Sequence, residues 1–95
     1  IPEGERVLDL KDLSCFVAVY EMQGFARAAA ALNTVQSNVS ARIRRLERVI
    51  GAPLFERRHR GIEVTARGEL LYRHARRVLG ELGELEIAMK ARQAG

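Results

Sequence analysis

Apolar residues in this chain recur at helical spacing in four stretches, with punctuation between them. Leu10, Leu13, Phe16, Val17 and Tyr20 follow Asp9, a side chain suited to cap a helix, and Asp12 favours the positive end of the helix dipole. This helix is expected to end near Met22 or Gln23, with Gly24 making the break and Phe25 plugging the core. Ala26–Leu32 is a short, strong helix former, capped by Gly24 without a side-chain oxygen. Its Ala28 and Ala29 are small enough for another helix to approach closely. Asn33-Thr34 reads as a turn, with the Thr34 hydroxyl placed to cap a helix running from about Val35 to Ile50. Gly51 supplies a left-handed stop and Pro53 prevents resumption.

The helix from Val35 has two unlike faces. Val39, Ile43, Leu46 and Ile50 fall on one side, which is expected to be buried. Ser37, Ala41, Arg44 and Arg48 occupy the opposite side, with Gln36 and Ser40 on its shoulder. A face kept small, polar and cationic over three turns suits a helix that enters a groove in an anionic partner. Leu54-Phe55-Glu56-Arg57 then resumes with apolar anchors, Arg58-His59-Arg60-Gly61 forms a basic turn, and Ile62-Glu63-Val64 alternates as a half-buried strand does. Two short strands with a basic tip make a wing. Thr65 can cap a last helix that has no proline and continues to around Arg92, about 40 Å at roughly 1.5 Å per residue. Along it Leu71, Ala75, Val78, Leu82, Leu85 and Met89 form a heptad seam whose natural partner is a second copy of the same helix. Gly80 and Gly83 each cost about 1 kcal/mol in a helix interior.

Composition narrows the choice of partner. With 95 residues there is room for one small domain and a long extra element. The net charge is +4 and the pI near 10.0, a mild pointer to nucleic acid, strengthened because the arginines cluster at 42–48, 57–60 and 67–77. No apolar run is long enough to span a bilayer, so no membrane partner and a cytoplasmic location are expected. Cys15 is the only cysteine, which excludes an intrachain disulfide and fits a buried, inert thiol. His59 and His74 lack the companions of a metal site, and Ser37 and Ser40 lack an activating base, so neither a metal, a cofactor nor an enzyme activity is expected.

A short helix, a tight turn, a second helix with a polar amino end and a basic wing resemble, in that order, the amino-terminal DNA-binding domain of the LysR-type transcriptional regulators. The resemblance covers nearly all of the chain from Asp9 to about Arg92. It rests on Leu13, Phe16 and Val19; on Phe25, Ala28, Ala29 and Leu32; on Gln36, Val39, Ser40, Ile43, Leu46 and Glu47; and on Gly51, Leu54-Phe55, Arg57, Arg60, Val64-Thr65 and Gly68. Four positions depart from the family's usual residues: Val35, Gly24, Ala26 and Ala41, the last where many members carry a base-reading arginine.

The resemblance implies a mainly α fold with a small two-stranded β wing, a winged helix-turn-helix over 9–64 and a linker helix over 65–95 that pairs two subunits, commonly antiparallel. Residues 1–8 are expected to be a flexible leader or remnant, and the family's carboxy-terminal effector-binding domain lies outside this chain. Through that missing domain relatives respond to a small-molecule effector, mostly as tetramers. The partner implied is double-stranded operator DNA, bound by a homodimer as an interrupted inverted repeat. The expected base contacts are Gln36, which can bond an adenine edge twice, Ser37, Ser40, Asn38 and Arg42 in the major groove, with Arg60 in the minor groove. Arg27, Thr34, Arg44, Arg57 and Thr65 are expected on phosphates. The rival reading is a winged helix used only as a protein interaction module, since fold alone does not fix function.

Overall fold

The computed structural model describes residues 8–94, so the expected leader at 1–8 lies almost wholly outside the described residues. Four helices and one hairpin follow in order: α1 Leu10–Met22, α2 Phe25–Ala31, α3 Gln36–Ile50, β1 Phe55–Arg58, β2 Gly61–Val64 and α4 Ala66–Ala94. The fold is mainly α with a two-stranded antiparallel wing, as the pattern predicts. Its principal extents are 53 × 31 × 22 Å, because α4 runs well beyond the core.

The core forms where the helical stripes converge. Leu13, Phe16 and Val19 of α1, Ala28 and Ala29 of α2, and Val39, Ile43 and Leu46 of α3 meet Leu54, Phe55 and Ala75. Ala28 is fully buried, so its small side chain lets α2 sit close to its neighbours. The three phenylalanines and two tyrosines make a single row through the molecule. Tyr72 of α4 stacks on Tyr20 of α1, Tyr20 neighbours Phe16, and Phe16 meets Phe55 of the wing, which meets Phe25 edge-on. In the wing Phe55 pairs with Val64 and Arg58 with Gly61, so only His59 and Arg60 lie between the paired strands, a tighter tip than the four-residue basic turn expected.

α1 ends at Met22 with Gln23 as its left-handed cap at φ 58°, and Gly24, extended at φ 177°, is the amino cap of α2, both as expected. Two local expectations are corrected. Thr34 does not cap α3: the cap position is Val35, whose side chain can accept nothing, and the Thr34 hydroxyl instead accepts from Asn38 Nδ2 at 2.9 Å. Asp12 lies in the first turn of α1, as expected, and is buried there at 2% exposure. Ala75 is 1% exposed within its own chain, and Leu71 is half-buried against the same core. The uncovered part of the apolar stripe therefore begins at Val78. Spacing alone could not divide the stripe, because the same face of α4 first covers its own domain and then runs past it.

Other punctuation behaves as expected. Asp9 accepts from the Lys11 amide at 2.7 Å, Gly51 is left-handed at φ 83°, and the Thr65 hydroxyl accepts from the Gly68 amide at 3.0 Å. The Glu47 carboxylate accepts from the Leu54 amide at 2.8 Å and so ties the end of α3 to the start of the wing. Cys15 is buried, with its Sγ 3.9 Å from the Val39 carbonyl, and burial pushes its thiol up from the usual range.

Candidate nucleic-acid interface

At the amino end of α3 no side chain caps the helix, and Gln36, Ser37 and Asn38 are all exposed. Unbonded amide N–H groups and the positive end of the helix dipole therefore share a surface with three short polar side chains. Along the rest of this helix the polar positions sort into two edges. On the wing side Ser40, Arg44 and Arg57 line a cleft with Phe25 and Ile62. Arg57 lies with its guanidinium carbon 5.3 Å from the centre of the Phe25 ring, which steadies the side chain while leaving it exposed. On the α1 side Thr34, Asn38 and Arg42 line a hollow of about 300 Å³ with Lys11 and Ser14.

The arginines of this region have different surroundings. Arg42 donates to Asp12 Oδ1 at 2.8 Å, and Arg45 grips both carboxylate oxygens at 2.8 Å each. Arg45 first, with Arg42 adding to it, holds the Asp12 carboxyl below the usual carboxylate range against a burial that raises it. Arg42 is thus tied back to α1, whereas Arg44 and Arg48 project from α3 with no ion pair among the described residues. On the outer face of the wing Arg58 lies between Glu56 and Glu63, at 3.1 and 3.0 Å. Arg60 is exposed at the tip.

Two expected backbone contacts have further structural partners. Arg27 donates through Nε to the Met22 carbonyl and through Nη2 to the Gln23 carbonyl, both at 2.8 Å, and so satisfies the open carbonyl end of α1. The Thr65 hydroxyl donates to the Pro53 carbonyl at 2.7 Å while accepting from Gly68. Lys11, Ser14 and Arg45 also border this region, and the sequence does not single them out. The available signal was the three-residue spacing of Lys11 and Ser14 on α1, and its meaning depends on which face α3 packs against.

Further from α3, α1 and α4 exchange side-chain bonds. Tyr20 donates to Glu69 and Tyr72 to Glu21, each at 2.7 Å, and Arg76 donates to the same Glu21 oxygen at 2.7 Å. The two tyrosine rings lie 3.6 Å apart and 4° from parallel. Tyr72 and then Arg76 hold Glu21 below the ordinary carboxylate range, and both phenols are pushed above theirs, mainly by the carboxylates they bond. Beyond this contact Val78, Leu85 and Met89 stay 45%, 53% and 50% exposed, and Val78, Leu82 and Leu85 share an apolar groove with Leu10 of α1. No described helix is long and apolar enough to cross a membrane.

Comparison with known proteins agrees with this architecture. Residues 10–69 match the model of the bacterial regulatory helix-turn-helix proteins of the lysR family. The HTH-type transcriptional regulator CfxR of Cupriavidus necator is 40% identical over 86 residues, which are 90% of this chain and 27% of that protein. CzcR of Bacillus thuringiensis, also an HTH-type transcriptional regulator, is 38% identical over 82 residues, 86% of this chain and 28% of that protein. The chain thus spans little more than a quarter of the length of these relatives. Among solved structures, the CbnR DNA-binding domain in complex with DNA superposes with a TM-score of 0.82 at 35% identity, over 90% of this chain and 98% of that one. The BenM DNA-binding domain on catB site 1 DNA gives a TM-score of 0.84 at 34% identity, over 93% of this chain and 97% of that one. The chain belongs to the LysR family of bacterial regulatory helix-turn-helix proteins.

Proposed function

We propose that this chain is the DNA-binding part of a transcriptional regulator, laying α3 in the major groove and the wing against the minor groove of double-stranded DNA. The observation that carries the reading is the uncapped amino end of α3, which exposes Gln36, Ser37 and Asn38 beside a cleft lined by Arg44 and Arg57. Gln36 and Ser37 read base edges, Ser40 permits close approach, and Asn38 reads from a position fixed by Thr34. Arg44 and Arg57 neutralise phosphates, Arg60 enters the minor groove, and the open amides of α3 hold a further phosphate. Arg42 acts mainly by fixing α3 on α1 through Asp12, and Thr65 by fixing α4 on the wing. Arg27 offers its remaining guanidinium protons to the backbone.

A homodimer is supported by the apolar strip of Val78, Leu82, Leu85 and Met89. Charge favours an antiparallel pair. Residues 66–79 carry Arg67, Arg73, Arg76 and Arg77 against Glu69, while residues 80–91 carry Glu81, Glu84 and Glu86 against Lys90. Two recognition helices then meet an interrupted inverted repeat in the cytoplasm, and a longer protein containing this chain adds an effector-binding domain and assembles as a tetramer. No catalytic step belongs to this reading, and the relatives are transcriptional regulators. Arg44 and Arg48, exposed and without an ion pair among the described residues, weigh against a winged helix used only to bind protein.

The test begins with a duplex selected from random DNA. Gln36→Ala should weaken binding to that duplex by about 1 to 3 kcal/mol and leave scrambled DNA nearly unaffected. Arg44→Ala should weaken both and lower the salt slope by about one unit. Equal losses on both duplexes for Gln36→Ala would remove it from base reading.

A further inference from the structure

We propose that Tyr20, Glu21, Glu69, Tyr72 and Arg76 form a clamp that fixes the tilt of α4 on α1, and thereby sets which half-site separation a dimer accepts. The proposal rests on the reading of the chain as a dimeric DNA-binding unit. Its basis is the reciprocal exchange between two helices: Tyr20 of α1 donates to Glu69 of α4, and Tyr72 of α4 donates to Glu21 of α1. Glu69, Tyr72 and Arg76 occupy one face of α4 over two turns, so the bonds restrain rotation as well as position. Stacking of the two rings between them removes the remaining freedom to slide.

Ridge-and-groove packing specifies only a class of crossing angle: from one helix pair to another the angle scatters by about 15 to 20°, and the side chains at the contact decide the value a given pair adopts. From Tyr72 to Ala94, α4 extends about 33 Å, and a tilt of about 6° there moves its far end by about 3.5 Å, close to the roughly 3.4 Å rise of one base step. A few degrees at the clamp therefore correspond to a whole base pair between half-sites. Exposed ion pairs and hydrogen bonds contribute little to stability, so the clamp acts through direction rather than strength. The same α1 is bound at its other end to α3 by Asp12, which makes it the rigid arm between the recognition helix and the dimer seam.

The experiment measures binding of the 95-residue chain to a single half-site and to paired half-sites whose separation changes one base pair at a time. Wild-type protein should prefer its best separation over the neighbouring ones by roughly tenfold or more. The double variant Tyr20→Phe with Tyr72→Phe should bind the single half-site within about twofold and reduce that preference to about threefold or less. Glu21→Gln, a surface change that keeps the ring stack, should act in the same direction. Undiminished preference in both variants overturns the clamp, as does an equal loss on single and paired sites, which would mark a merely structural role. A wild-type protein that binds half-sites but accepts every separation equally overturns the clamp alone. One that binds no duplex overturns the DNA-binding reading beneath it.

Discussion

Gly68 shows how much a single missing side chain can decide. A Cβ there would run into the Leu54 carbonyl oxygen and come within 2.8 Å of Val64 Cγ1, a backbone group and a stiff branched side chain. Gly68→Ala should therefore destabilise the fold by about 1 to 3 kcal/mol in denaturant titration. Gly80 lies in the same helix with open space around its Cα, so Gly80→Ala should stabilise by about 1 kcal/mol. Gly68 is one of the residues on which the family resemblance rests, yet the sequence supplies no reason for it. The reason is the approach of α4 to the strand connection, a contact between distant segments. Gln36, Ser37, Ser40 and Arg44 were legible as a surface because helical period alone separates them from Val39, Ile43 and Leu46, whereas Arg57 joins them only through the packing of the wing.

Between elements, one buried carboxylate links α1 to α3 alongside the apolar core they share. Asp12 meets two guanidinium groups that keep 32% and 51% of their side-chain exposure, so Asp12→Asn should cost about 1 to 3 kcal/mol, less than for a wholly buried pair. Its pKa is lowered in the folded state, so the unfolded chain takes up the proton more readily. The stabilisation is fully present above the ordinary carboxylate value of 3.8 and is lost as pH falls from there through the lower folded value. Unfolding midpoints measured between pH 5 and pH 2 should fall more steeply for wild type than for Asp12→Asn. Element boundaries were readable within a residue or two, because Asp9, Gly51, Pro53 and Thr65 act locally. The partners of Asp12 were not, since they lie 30 and 33 residues away on a helix with arginines on several faces. The end of α1 falls at Met22 and Gln23 as expected, although the left-handed conformation there is taken by Gln23, a residue type that sequence alone does not mark for it.

At the scale of the whole molecule, α4 belongs to two environments. Its first turns complete the core through Ala75, and its later turns leave Val78, Leu85 and Met89 half uncovered. Leu82→Glu combined with Leu85→Glu should leave the unfolding midpoint of the domain nearly unchanged and shift sedimentation at micromolar concentration toward the monomer. Binding to paired half-sites should then fall by about 100-fold or more while single half-site binding persists. The heptad spacing predicts one continuous seam over Leu71 to Met89, and the fold divides it. A stripe of constant period carries no mark of where the chain's own core ends, so this boundary is visible only in three dimensions.

The tyrosine stack has an optical consequence. The chain contains no tryptophan, so Tyr20 and Tyr72 are its only strong ultraviolet emitters. Both phenols donate to carboxylates and their rings lie face to face, two arrangements that quench tyrosine emission and couple the two transitions. Opening of the α1–α4 contact should appear as brighter emission and a changed near-ultraviolet circular dichroism, without any label. A titration with duplex DNA followed at those wavelengths then reports on the α1–α4 contact itself, separately from the surface proposed to meet DNA.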